Sequence, residues 1–184
     1  MLSAFRARIA AKAIESGNVI AYPTEAVFGL GCDPLNFEAV SRLLEIKQRP
    51  IEKGLILIAS SFSQLRPFVK TLEPDITQPA FDSWPGPNTW IFPARENTPY
   101  WLTGKFSSIA VRVSAHPVVK QLCDTVNIPL VSTSANHSGQ QPARSLLECR
   151  LRCPEADLFI NGQVNRLAQP STIRDLITGK TLRS

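Results

Sequence analysis

Asn36 to Ala59 reads NFEAVSRLLEIKQRPIEKGLILIA, and the order of its parts decides the fold class. Asn36 is a helix-capping residue, and Phe37, Val40, Leu43, Leu44 and Ile46 recur at the three- and four-residue spacing of one helical face. Pro50 pushes the residue before it out of the helical region, so Lys47 and Arg49 lie at or just beyond the helix end. Leu55 to Ala59 then runs without a polar residue, the pattern of a strand covered on both faces rather than half-exposed to water. Helix, stiff cationic loop and doubly covered strand in succession predict an α/β fold.

The same reading extends outward. Leu2, Phe5, Ile9 and Ala13 recur at helical spacing, Ser16-Gly17 supplies a stop, and Val19 to Tyr22 reads as a strand followed by a loop containing Gly29 and Gly31. Downstream, Thr89 to Phe92, Ile109 to Val113 and Leu130 to Thr133 read as strands, with helices over Pro117 to Asn127 and Ser145 to Arg152. Leu158 to Ile160 and Thr172 to Leu176 add late strands, and Gly179-Lys180-Thr181 a hairpin turn. The prolines from Pro74 to Pro99 predict a short helix and irregular connections, not a linker. The expectation is one domain over residues 1–184: a three-layer α/β fold with a twisted mixed β-sheet flanked by helices.

A chain of 184 residues is long enough to bury about 70% of the surface it exposes when unfolded. With 43% hydrophobic and 19% charged residues it is neither disordered nor fibrous in composition. The first 17 residues contain Arg6, Arg8, Lys12 and Glu15 and no apolar run of signal-peptide or membrane length, so a cytoplasmic protein without a membrane partner is expected. Cys32, Cys123, Cys149 and Cys153 read as reduced structural thiols. Cys149-x-x-x-Cys153 has no second pair or nearby His to complete a tetrahedral site, so no metal centre is expected. The net charge of +5 suits phosphate-rich partners without specifying nucleic acid.

The residues that carry chemistry are cations, hydroxyls and turn glycines. Lys47, Arg49 and Lys53 crowd a loop stiffened by Pro50; cations at a helix C-terminus oppose its dipole, but three so close can also clamp a polyphosphate, arginine as a fork and lysine as a point charge. Ser132, Ser134 and Asn136 leave an apolar strand with Ser138-Gly139 behind them, where open α/β sheets tend to bind ligands and hydroxyls with backbone N–H groups can nest an anion. Arg112 stands inside the strand-like run Ile109 to Val113, so it either faces solvent or meets an anion. Neither His116 nor His137 has a Ser and an acid at triad spacing. Gly179-Lys180-Thr181 lacks the upstream glycine of a phosphate-binding loop, and Gly29-x-Gly31 lacks the third glycine of a dinucleotide fingerprint.

Taken together and in order, Tyr22-Pro23-Thr24-Glu25 with Phe28-Gly29-Leu30-Gly31, Lys47-x-Arg49-Pro50, Trp84-Pro85-Gly86-Pro87-x-Thr89, Val111-Arg112-Val113 with His116-Pro117, and Ser132-Thr133-Ser134-Ala135-Asn136 resemble the YrdC family in its short, single-domain form. The resemblance implies formation of threonylcarbamoyl-AMP and pyrophosphate from L-threonine, bicarbonate and ATP with Mg2+, for the N6-threonylcarbamoyl (t6A) modification of tRNA adenosine. It implies that Lys47 and Arg49 are catalytic and, with Lys53, Ser108, Ser134 and Asn136, bind ATP. Thr24, Arg112, Ser132 and Ser171 would surround threonine. Three positions depart from the family pattern: Gly54 where many relatives carry Pro, Asn88 in place of an apolar residue, and Ile58 where longer relatives carry a substrate-facing His. Downstream t6A-modification proteins and tRNA or double-stranded RNA are the implied macromolecular partners. The competing expectation is a non-catalytic RNA-binding factor for ribosomal RNA maturation, using the same cations on RNA backbone.

Overall fold

A computed structural model describes residues 2–165 and 171–183. Helix α1 (Ala4–Glu15) precedes strands β1 (Ile20–Pro23) and β2 (Phe28–Gly31). Next come α2 (Phe37–Lys47), a 3-10 turn (Ile51–Lys53), β3 (Ile56–Ala59), α3 (Phe62–Leu65), α4 (Pro74–Ser83) and β4 (Asn88–Pro93). The remainder is α5 (Tyr100–Thr103), β5 (Ser108–Val113), α6 (Pro117–Val126), β6 (Leu130–Ser134), α7 (Leu146–Arg152), β7 (Leu158–Phe159), β8 (Thr172–Asp175) and β9 (Thr181–Arg183). The strands form one mixed sheet in the order β7-β1-β2-β6-β3-β5-β4-β8-β9. Its parallel pairs are β1 with β7, β3 with β5, and β4 with β8.

Strand alternation sorts the side chains into two layers. Phe28 and Leu30 of β2, Leu57 of β3, Phe92 of β4, Val111 of β5 and Val131 of β6 pack with Val40 and Leu43 of α2 on one face. On the other, Ile14 of α1 and Leu122 of α6 cover Ile20, Tyr22, Ile58 and Leu130. Asn36 caps α2 as the sequence suggests, accepting from the Ala39 N–H, and Ser145, read as the first residue of its helix, is the cap of α7 and accepts from the Glu148 N–H. The expected three-layer α/β arrangement is therefore present.

Two expectations are corrected. Phe5 and Ile9, whose helical spacing marks the first helix in the sequence, are 64% and 43% exposed, and α1 instead packs through Ala7, Ala10, Ala11 and Ile14. Two apolar stripes overlap on this helix, and the one with the smaller side chains permits the closer approach to α6 and the sheet. The loop assigned to Gly29 and Gly31 is strand β2, in which Gly31 pairs with Ile20 and Gly29 with Tyr22. Neither glycine has a positive φ. A Cβ on Gly31 would fall 2.4 Å from the Val131 carbonyl oxygen and 2.8 Å from Tyr22 Cε1, so close approach, not backbone freedom, requires glycine there.

Gly31→Ala is accordingly expected to lower stability by about 1–3 kcal/mol in urea unfolding. In the same measurement Ile14→Ala should cost about 2–5 kcal/mol. Phe5→Ala should change stability by less than about 0.5 kcal/mol, the reverse of what the first helical pattern implied.

Candidate active site

The cavity lies where α1 and α6 fail to cover the second face of the sheet, and it has a volume of about 740 Å³. Its floor is built from alternate residues of neighbouring strands: Ser108, Ala110 and Arg112 of β5, Ile56 of β3, and Ser132 and Ser134 of β6. The sequence reading ended the strand at Thr133, with Ser132 at its exit and Ser134 just beyond. They belong to β6 itself, so this cavity rests on the face of the sheet as well as at its edge. Every residue singled out for ATP or threonine lines this one space, including Thr24, Lys53 and Ser171 from distant segments.

The cationic loop is shaped by the end of α2. Gln48 adopts the left-handed conformation with φ +49°, turning the chain so that the Arg49 N–H bonds the Leu44 carbonyl. Lys47, at the helix end where the sequence put it, is turned inward and only 3% exposed. Its Nζ donates to the carbonyls of Ser134 at 2.5 Å and Asn136 at 2.6 Å, and to Asn136 Oδ1 at 3.2 Å. Asn136 Nδ2 in turn donates to the carbonyls of His137 and Gln140, so this lysine and asparagine fold the loop after β6 around an ammonium. Burial draws the Lys47 pKa down to about 8, which leaves it cationic at neutral pH.

Arg49 is partly buried, its Nη2 donating to the Gly54 carbonyl at 2.8 Å while Nε has no partner among the described residues; desolvation lowers its pKa. Gly54 holds φ +62°, and a Cβ there would lie 2.8 Å from the Thr103 carbonyl oxygen, which accounts for the absence of proline. Asn88 also has a local reason: its Nδ2 donates to the Ser83 carbonyl and its own carbonyl accepts from Trp84 Nε1, closing the turn into β4. Ile58 is fully buried in the α1–α6 layer, where it pairs in register with Arg112.

Arg112 meets an anion within the chain, which no local spacing revealed. Its Nη2 lies 3.2 Å from Glu25 Oε2, and both side chains are buried. Thr24 donates its hydroxyl to the Val27 carbonyl at 2.7 Å, holding the β1–β2 turn that presents Glu25. Ser171 is buried against Thr89, with 3.0 Å between their hydroxyl oxygens, and accepts from Arg183 through its carbonyl. Arg183 is a cavity residue that the sequence reading missed, because nothing local distinguishes a cation on the last strand. Desolvation first, then repulsion from Arg112 and Arg49, lowers the Arg183 pKa. Guanidiniums from three segments thus converge on one basin, an arrangement that favours an anionic ligand. Among the described residues no group of three or more His, Cys, Asp or Glu side chains is placed to hold a metal ion.

Known proteins share both sequence and architecture with this chain. The threonylcarbamoyl-AMP synthase of Klebsiella pneumoniae is 51% identical over 172 residues, covering 92% of this chain and 90% of the relative. That of Coxiella burnetii is 49% identical over 175 residues, covering 95% and 94%. The structure of P. abyssi Sua5 complexed with L-threonine superposes with a TM-score of 0.89 at 34% identity, covering 95% of this chain and 52% of that one, so the chain spans about half of the longer protein. E. coli YciO, at 23% identity and a TM-score of 0.85 over 100% of this chain and 93% of its own, shares the fold. The Sua5/YciO/YrdC family model, described as telomere recombination, matches residues 12–184, and the chain belongs to that family.

Proposed function

We infer that this chain is a threonylcarbamoyl-AMP synthase, which joins L-threonine, bicarbonate and ATP into L-threonylcarbamoyladenylate with release of pyrophosphate and water. The observation that carries the reading is the convergence of Arg49, Arg112 and Arg183 on a cavity floored by Ser108, Ser132 and Ser134. No protein nucleophile is needed: threonine's amine captures carbon dioxide as a carbamate, whose oxygen attacks the α-phosphorus of ATP. The chain's work is to bring two anions together and to neutralise charge on the transferring adenylyl group and the departing pyrophosphate.

In this reading Arg49 and Lys53 face the phosphates, with Ser108, Ser134 and Asn136 offering polar contacts. Lys47 adds its charge from below. Its 3.2 Å bond to Asn136 Oδ1, the longest of the three it donates, is the first to yield to a phosphate oxygen. Arg112 takes the threonine carboxylate, with Thr24 and Ser132 beside it and Ser171 closing the wall. Mg2+ would arrive chelated to the triphosphate as part of the substrate, since among the described residues the cavity offers Asp175 and Glu25 but no clustered carboxylates. Residues 1–184 act as one domain, and the product serves t6A modification of tRNA through downstream proteins. A cytoplasmic setting agrees with four free, buried cysteines. No helix among the described residues is long and apolar enough to cross a membrane. The RNA-binding alternative is not favoured: Lys47 and Arg49 are committed to backbone oxygens inside the cavity rather than spread on a surface.

Purified protein given ATP, Mg2+, bicarbonate and L-threonine is expected to release pyrophosphate and form the adenylate, detected by mass spectrometry, with each substrate required. Product formation without threonine or bicarbonate would contradict the reading. Arg49→Ala should lose about 100-fold in turnover, while its melting transition stays close to that of the parent because only two hydrogen bonds to the adjoining loop are lost, to the carbonyls of Lys53 and Gly54. Lys47→Ala should lose activity and also destabilise the fold by about 2 kcal/mol or more, since it strands the buried oxygens of Ser134 and Asn136. Equal thermal stability of the two variants would refute the distinction.

A further inference from the structure

Glu25 has no part in the reaction described above, although it stands beside Thr24 in the turn between β1 and β2. It is 2% exposed, and its two oxygens do different things. Oε2 faces Arg112 Nη2 at 3.2 Å. Oε1 accepts from Ser114 Oγ at 2.7 Å and from the Ala115 N–H at 3.1 Å, while Ser114 Oγ itself accepts from the His116 N–H. The carboxylate is therefore anchored to the backbone that follows β5, the strand that carries Arg112. Arg112 is itself 7% exposed, with a buried Nε that has no hydrogen-bond partner among the described residues.

Two pressures act on that guanidinium. Arg183 repels it across the cavity, and its own long side chain has many rotamers to choose from. An arginine that must be ordered by its ligand binds that ligand less tightly than one already held in place. We propose that Glu25 is a positioning residue for amino-acid recognition, anchoring Arg112 in the cavity floor so that its free N–H groups meet the α-carboxylate of the substrate. This rests on the reading that threonine's carboxylate is taken by Arg112, and it adds the buried acid that makes the arginine selective for a carboxylate. Glu25→Gln keeps the shape and the acceptor for Ser114 and Ala115, but sets an amide NH2 against Nη2 and so turns the guanidinium away.

The test compares L-threonine with L-threoninol, which has an alcohol in place of the carboxylate, by calorimetry on the folded protein, with threoninol measured through competition. The parent protein should prefer threonine by about 100-fold or more. In Glu25→Gln that preference should fall about 10-fold through weaker threonine binding, while threoninol and ATP affinities stay within about 2-fold. Unchanged or tighter threonine binding, the result that removing a negative charge alone would produce, overturns the proposal. So does an equal weakening of threonine, threoninol and ATP, which marks a general structural role. If Glu25→Gln has no cooperative melt, the ratio measured on Ser114→Ala decides: a fall of about 3-fold supports the anchor, and an unchanged ratio overturns it. A parent protein that binds ATP but not threonine would instead overturn the functional reading, and this inference with it.

Discussion

Two helices cannot cover nine strands. A helix with its side chains is about 10 Å wide and strands lie about 4.8 Å apart, so α1 and α6 side by side screen roughly four strands from water. The rest of that face, over β5, β4, β8 and β9 and the ends of β3 and β6 where Ile56 pairs with Ser132, has to be closed by something else or left open. This chain leaves it open and rims it with loops, and the cavity is the consequence. The opposite face has α2 and the shorter helices packed against it and carries the larger apolar cluster, so the exposed half-face is tolerated without loss of a core.

An open half-face on a buried sheet would be a liability if it were apolar. Here the alternation that sends Ile109, Val111 and Val113 into the core sends Ser108, Ala110 and Arg112 the other way. The same division in β6 turns Val131 inward and Ser132 and Ser134 outward. Small hydroxyl residues keep the floor low and polar. Four of the cations that line it are tied to the scaffold: Lys47 through the loop after β6, Arg112 through Glu25, Arg49 through Gly54 and Arg183 through Ser171. Mutual repulsion among the guanidiniums is thereby held in place and becomes available to an anion.

Local signals carried far in this chain. Caps, proline stops and apolar runs are decided by neighbours within a turn or two, which is why α2, α6, α7 and the strands from β3 to β6 lie close to where their sequences put them. The cationic loop and the serine-rich segment were legible for the same reason. Two short-range signals misled. Alanine contributes little to an apolar stripe, so α1 was read through Phe5 and Ile9, although the tight contact belongs to Ala7 and Ala10. Glycine is associated with turns, so β2 was read as loop, although the missing side chains make room for the Tyr22 ring.

By itself, then, the sequence determined the kinds of element, their order and the inventory of cations and hydroxyls, because helix stops, strand alternation and turn chemistry act over a few residues. Only the tertiary structure decided that Glu25 belongs to Arg112, that its other oxygen is held by Ser114 from 89 residues away, and that Arg183 returns from the last strand to the same basin. It also decided that Lys47 faces inward. Burial and pairing are set by which segments the sheet order brings side by side, and strand order is not encoded in the spacing of any one segment.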